Sequence, residues 1–140
     1  MGVSNGEARM ARILVIDDDR LLRGTVELIL KSEGHEVASA RDGLEGIERF
    51  RSGEFDLVAC DTFMPNREGL ETIREIRDLA AALPIIAFTG GPAYATAPGS
   101  DADVQHIAGQ LGATETLAKP FRRQELLALV RRCLRSAAGR

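Results

Sequence analysis

Three aspartates in a row, Asp17, Asp18 and Asp19, close the short apolar run ILVI at residues 13–16. Asp61 closes a second apolar run, FDLVAC, at residues 55–60. Thr89 follows PIIAF, and Lys119 follows the short stretch Glu115 to Ala118. Carboxylates gathered at one edge repel one another unless a cation joins them. Mg²⁺ suits such a place, because it takes one or two carboxylates and keeps positions open for water and phosphate. A carboxylate can also attack phosphorus and form an acyl phosphate. A metal, an ammonium and a hydroxyl can then share the charge on the phosphoryl oxygens, which is most of what phosphoryl transfer needs from a protein. Each residue has a plainer reading beside this one. An Asp caps helices, and an Asp or Thr after a strand is a common turn residue. One Asp is enough for a cap, however, and three in a row add like charge. The lysine is the more telling choice. Sixteen of the 18 basic residues are arginine, and only Lys31 and Lys119 are lysine. A lysine head is a compact point charge that suits phosphate, whereas arginine is a wide fork.

These residues need elements to hold them. The β-branched run at residues 13–16 has the continuous apolar character of a strand buried on both faces. Leu22, Val26, Ile29 and Leu30 then repeat at helical spacing over residues 20–33, with Asp19 placed to cap the helix and Gly34 to end it. A weaker strand follows from Glu36 to Ala40, and a helix from about Leu44 to Arg51. The third strand covers residues 55–60, and Pro65 and Asn66 mark a loop after it. Leu70, Ile73, Ile76 and Leu79 mark the third helix, and Pro84 to Phe88 the fourth strand. The breakers Gly90, Gly91 and Pro92 end that strand, and residues 91–101 read as a long loop. A short helix from Ala102 to Leu111, a weak strand from Glu115 to Ala118, and a final amphipathic helix marked by Leu126, Leu127, Val130 and Leu134 complete the chain. Such alternation predicts a parallel sheet with right-handed crossovers and helices on both faces. Ligands of such sheets bind beyond the carboxyl ends of the strands, which is where the aspartates, Thr89 and Lys119 fall.

Composition narrows the classes. The 140 residues suit one domain. A net charge of -3 lacks the positive excess of a nucleic-acid binder. No apolar run reaches the roughly 20 residues of a membrane helix, and residues 1–12 lack the apolar core of a secretory signal. Cys60 and Cys133 read as buried free thiols. His35 is expected in a turn and His106 on a helix face, neither with a chemical role.

The motifs ILVIDDD, LVACDTFMPNREGLE, PIIAFTGG and LAKPF, in this order over about residues 11–136, resemble the receiver domains of bacterial two-component response regulators. The resemblance implies an α/β, doubly wound (βα)5 sandwich whose five parallel strands run in the order 2-1-3-4-5. It makes Asp61 the phosphoacceptor. Asp18 would bind Mg²⁺ directly and Asp17 mainly through water, with Asp19 outside the site and the backbone carbonyl of Phe63 completing the metal set. Lys119 would pair with a phosphoryl oxygen, Thr89 would turn its hydroxyl to the phosphoryl group, and Pro120 would follow the lysine in cis. The implied protein is a cytoplasmic single-domain response regulator and not a turnover enzyme. Its phosphodonor would be a sensor histidine kinase or a histidine phosphotransfer protein. It would signal through contact with a downstream protein target, with no direct nucleic-acid contact, no membrane insertion and a homodimer as one option. Residues 1–10 and 137–140 would be short tails, leaving no output domain.

Three departures from the family pattern stand out. The switch aromatic expected three residues before the lysine is Thr116. The stretch from Thr89 to Lys119 is several residues longer than usual, and its loop holds the only tyrosine, Tyr94, as a candidate substitute switch. Phe63 and Gly91 stand at the two positions that tune dephosphorylation and offer no group to orient water, so a long-lived phosphoryl group is expected. Two other classes compete. A receiver-like interaction module that never uses its site has no physical need to keep clustered like charges. A haloacid-dehalogenase-type phosphatase wants a second Asp where Phe63 stands, and a flavodoxin-like carrier wants a phosphate loop where Asp17 to Asp19 would repel phosphate.

Overall fold

The computed structural model describes residues 10–62, 68–90 and 101–138. Among them the chain alternates strictly: β1 Arg12–Ile16, α1 Arg20–Ser32, β2 Glu36–Ala40, α2 Gly43–Ser52, β3 Leu57–Asp61, α3 Glu68–Leu79, β4 Ile85–Gly90, α4 Asp101–Leu111, β5 Glu115–Lys119 and α5 Arg123–Ala138. The strands form one parallel sheet in the order β2-β1-β3-β4-β5. The expected doubly wound α/β architecture is therefore what the chain adopts.

The apolar runs explain the order. Ile13 to Ile16 and Leu57 to Cys60 are fully or almost fully buried, because β1 and β3 lie inside the sheet and are covered on both faces. The two runs that read as weak, β2 and β5, are the sheet edges and are only half-buried. Alternate strand residues feed two cores. Ile13, Val15, Ile86 and Phe88 pack with Val26 and Leu30 of α1 and with Leu126 and Val130 of α5. Leu14, Ile16, Val58 and Ile85 face the other way, toward Ile73 and Ile76 of α3 and Ala108 of α4. Each large aliphatic side chain buried in this way contributes roughly 1.5–3 kcal/mol.

Local signals set the helix ends. The Asp19 carboxylate accepts from the amides of Leu21 and Leu22 and caps α1. Its far end closes with Gly34 at φ +92°, whose amide donates to the Lys31 carbonyl while the His35 amide donates to that of Leu30. That pair of bonds is a Schellman closure, which favours glycine at the left-handed position. His35 lies in the turn as expected and accepts from the Ala11 amide through Nδ1. His106 is exposed on α4, and both cysteines are free and buried.

Several boundaries differ from expectation. β3 starts at Leu57 and includes Asp61, which is a strand residue and not a turn residue. β4 runs through Thr89 and Gly90, although Gly90 reads as a breaker. Gly90 has φ +78° yet keeps its register partner, Lys119. α5 continues to Ala138, past the expected end of the domain at residue 136. Of the expected loop at 91–101, Asp101 instead begins α4, and residues 91–100, with Gly91 and Tyr94, lie outside the described residues, as do residues 1–9 of the expected N-terminal tail at 1–10. No helix among the described residues is long and apolar enough to cross a membrane.

Candidate functional site: an acidic pocket at the strand ends

Parallel register brings the carboxyl ends of β1, β3, β4 and β5 to one edge. Ile16 pairs with Cys60, Asp61 with Phe88, and Gly90 with Lys119. One ligand oxygen each from Asp17, Asp18 and Asp61 lies within 4.8 Å of the others. Asp17 and Asp61 are buried, and Asp18 is exposed at the rim. Lys119 Nζ reaches across to Asp17 Oδ2 at 3.0 Å and Asp61 Oδ1 at 3.2 Å. The Lys119-Pro120 peptide is cis, as expected. Thr89 is fully buried, and its hydroxyl has no hydrogen-bond partner among the described residues. Phe63, expected to add a backbone carbonyl, lies outside the described residues.

The electrostatics follow from burial and crowding. Asp61 is pushed from 3.8 to about 7, first by loss of water and then by the charge of Asp17, with Lys119 pulling the other way. Asp17 is also raised, chiefly by burial, although the Asp19 amide and Lys119 stabilise its charge. Burial alone would lower Lys119, but the Asp61 and Asp17 carboxylates outweigh it and hold the ammonium above its usual range. The two buried carboxylates thus share one ammonium, with Asp18 beside them at the rim. Among the described residues, Asp17 Oδ2 and Asp61 Oδ1 are buried with Lys119 as their only partner. Hard oxygen donors short of positive charge fit a divalent cation such as Mg²⁺.

Other residues shape the pocket and were not singled out from the sequence. Thr62 donates from its amide (3.0 Å) and its hydroxyl (2.7 Å) to the Phe88 carbonyl, which fixes the chain as it leaves Asp61. A Cβ on Gly69 would overlap the Asp61 carbonyl oxygen, so α3 approaches the site through a glycine. A Cβ on Gly90 would stand 2.9 Å from the Lys119 carbonyl oxygen. Phe121 lays its ring on Phe88, with centroids 5.1 Å apart, and ties the segment after the cis proline to β4. Arg23 Nη1 donates to the Asp17 carbonyl at 2.7 Å. A threonine after the strand, a glycine early in a helix and an arginine six residues past Asp17 are each too common to signal a site.

A family model of the response regulator receiver domain matches residues 13–131. The chain belongs to this family. Response regulator MprA of Mycobacterium ulcerans is 38% identical over 125 residues, covering 89% of this chain and 50% of that protein. The chain spans about half the length of the curated relatives it matches first. Two solved structures are matched over nearly their whole length. A CheY-like receiver domain protein from Methanospirillum hungatei superposes with a TM-score of 0.83 at 26% identity, covering 94% of this chain and 98% of that one. The chemotaxis protein CheY4 of Vibrio cholerae superposes with a TM-score of 0.77 at 30% identity, covering 90% of this chain and 100% of that one. Receiver domains bind Mg²⁺ at an acidic pocket, and the cluster of Asp17, Asp18 and Asp61 is an acidic pocket of this kind.

Proposed function

We propose that this receiver domain accepts a phosphoryl group on Asp61 in a Mg²⁺-dependent reaction. The donor is the phosphohistidine of a sensor histidine kinase or a histidine phosphotransfer protein. The observation that carries the reading is the buried Asp61 carboxylate at the end of β3, flanked by Lys119 and the carboxylates of Asp17 and Asp18. An Asp61 oxygen forms the bond to phosphorus while the phosphorus–nitrogen bond of the donor breaks, and the imidazole leaves with the electron pair and takes up a proton. Asp18, Asp61 and the Phe63 carbonyl would hold Mg²⁺ directly and Asp17 mainly through water, and the ion would supply positive charge for the phosphoryl oxygens. Lys119 exchanges its partnership with Asp61 for one with a phosphoryl oxygen. The Thr89 hydroxyl, buried and without a partner among the described residues, gains an acceptor once the phosphoryl group is present. The domain assists its own phosphorylation and dephosphorylation at Asp61 and is not a turnover enzyme on a separate substrate. Signalling passes in the cytoplasm by contact with a downstream protein, without direct nucleic-acid contact by this domain, and a homodimer is one form it can take.

Incubation with acetyl phosphate and Mg²⁺, followed by intact mass, tests this. Wild type gains one phosphoryl group, and Asp61→Ala and an EDTA-treated control gain none. An unmodified wild type that also binds no Mg²⁺ points to a phosphorylation-independent interaction module.

A further inference from the structure

Arg23 stands in the first turn of α1, where a helix presents its positive dipole end and disfavours cations. Within the helix that turn holds no acidic residue, and the Asp19 cap carboxylate is engaged by the Leu21 and Leu22 amides. A residue that breaks a local rule usually does so for a site. Here the half-buried guanidinium folds back and gives a 2.7 Å hydrogen bond to the main-chain oxygen of Asp17. Three other contacts meet on Asp17. Its amide donates to the Ala40 carbonyl at 3.1 Å, and its Oδ1 accepts from the Asp19 amide at 2.9 Å. Its Oδ2 is partnered only by the Lys119 ammonium, at 3.0 Å, among the described residues. The residue is held at its amide, its carbonyl and one carboxylate oxygen, and a single oxygen is left to serve the pocket. The Asp17 carbonyl also lies in the same rigid peptide plane as the Asp18 amide. A bond to that carbonyl therefore sets how the chain turns into Asp18.

We propose that Arg23 is a positioning residue for the cation site, acting through the Asp17–Asp18 peptide. The proposal rests on the reading of the pocket as a Mg²⁺-dependent phosphoacceptor site. Without the guanidinium the carbonyl loses its donor, and the peptide can rotate to find water. Both aspartates then leave the geometry in which their oxygens converge. Arg23 touches neither the reacting atoms nor the cation, so its loss should appear in the Mg²⁺ requirement and not in the maximal rate.

The test uses the full chain as wild type, Arg23→Ala, Arg23→Gln and Arg23→Lys. Mg²⁺ binding is titrated by calorimetry without a phosphodonor, and phosphorylation by acetyl phosphate is followed across Mg²⁺ concentrations. Loss of an outer-shell partner typically weakens metal affinity 10–100-fold, so Arg23→Ala should need at least about tenfold more Mg²⁺ in both assays. Its rate at saturating Mg²⁺ should match wild type, and Arg23→Lys and Arg23→Gln, which keep a donor, should recover most of the affinity. If Arg23→Ala does not fold, Arg23→Met, which keeps an apolar stem without a donor, takes its place and should show the same weakened Mg²⁺ affinity beside Arg23→Lys and Arg23→Gln. Arg23→Ala with wild-type Mg²⁺ affinity, or a rate defect that excess Mg²⁺ leaves in place, overturns the positioning role while the function stands. A wild type that takes up neither Mg²⁺ nor a phosphoryl group overturns the functional reading, and this inference with it.

Discussion

Gly24 and Gly69 both lie in helices, and a methyl group has opposite consequences at the two. A Cβ on Gly24 meets nothing within 4 Å, so the glycine in α1 contributes only backbone freedom that folding must remove. Gly24→Ala should raise stability by roughly 0.5–1 kcal/mol. A Cβ on Gly69 would overlap the Asp61 carbonyl oxygen and stand 2.7 Å from that of Thr62. Both are main-chain atoms at the end of a buried strand and have nowhere to go. Gly69→Ala should cost about 1–3 kcal/mol, as overpacking does, and should also slow phosphoryl uptake because Asp61 moves with its backbone. Urea denaturation of the two variants beside acetyl phosphate labelling checks the pair. A Gly69→Ala protein as stable and as reactive as wild type would show that α3 is not pressed against the site. At this scale the sequence was informative where residue type was unusual. A lysine in an arginine-rich chain marked Lys119, and three adjacent aspartates marked β1. Thr62, Gly69 and Arg23 act through main-chain atoms of other residues, and no residue pattern shows which carbonyl a side chain or a close approach will meet.

Asp19 shows how the elements divide the labour of the aspartate triplet. Its side chain caps α1, while its amide donates to Asp17 Oδ1. Asp19→Ala removes the cap and keeps the amide. It should cost about 1 kcal/mol in urea denaturation, the usual value of an Asp cap, while Mg²⁺ binding stays close to wild type. A large loss of Mg²⁺ affinity with unchanged stability would place Asp19 among the cation ligands instead. The helical and strand periods made every described element legible, and the weak runs turned out to be the edges β2 and β5. Boundaries were less legible because tertiary pairing overrode local signals. Gly90 reads as a breaker, but its register with Lys119 carries β4 two residues past Phe88. The contact between α3 and the turn before β5 was not legible at all. The Arg77 guanidinium donates to the carbonyls of Gly112, Ala80 and Ala81, and Gly112 lies 35 positions away in the chain. In sequence Arg77 is only a polar residue on an amphipathic helix.

For the molecule as a whole, the net charge of -3 conceals a pocket in which like charges are forced together by the fold. Sheet order brings this about, because β1 and β3 are neighbours, Asp17 follows directly on β1 and Asp61 ends β3. The arrangement has a cost that depends on pH. Asp61 titrates near 3.8 when unfolded and at about 7 in the folded protein. Between those values the folded state binds the extra proton, so stability falls as pH rises through this window and then levels off above about 7. A shift of this size corresponds to a few kcal/mol, since each unit is about 1.4 kcal/mol. Asp61→Asn removes the titrating charge and keeps the shape. In EDTA the variant should match wild type near pH 4 and exceed it by on the order of 2–4 kcal/mol at pH 8. Mg²⁺ should then narrow the gap by stabilising the ionised wild type more than the variant, through preferential binding to the folded state. Urea denaturation from pH 4 to pH 8, with EDTA or Mg²⁺, reads all three effects. A variant that is less stable than wild type at pH 8, or a gap that does not change with pH, would mean that Lys119 already balances the charge of the pocket.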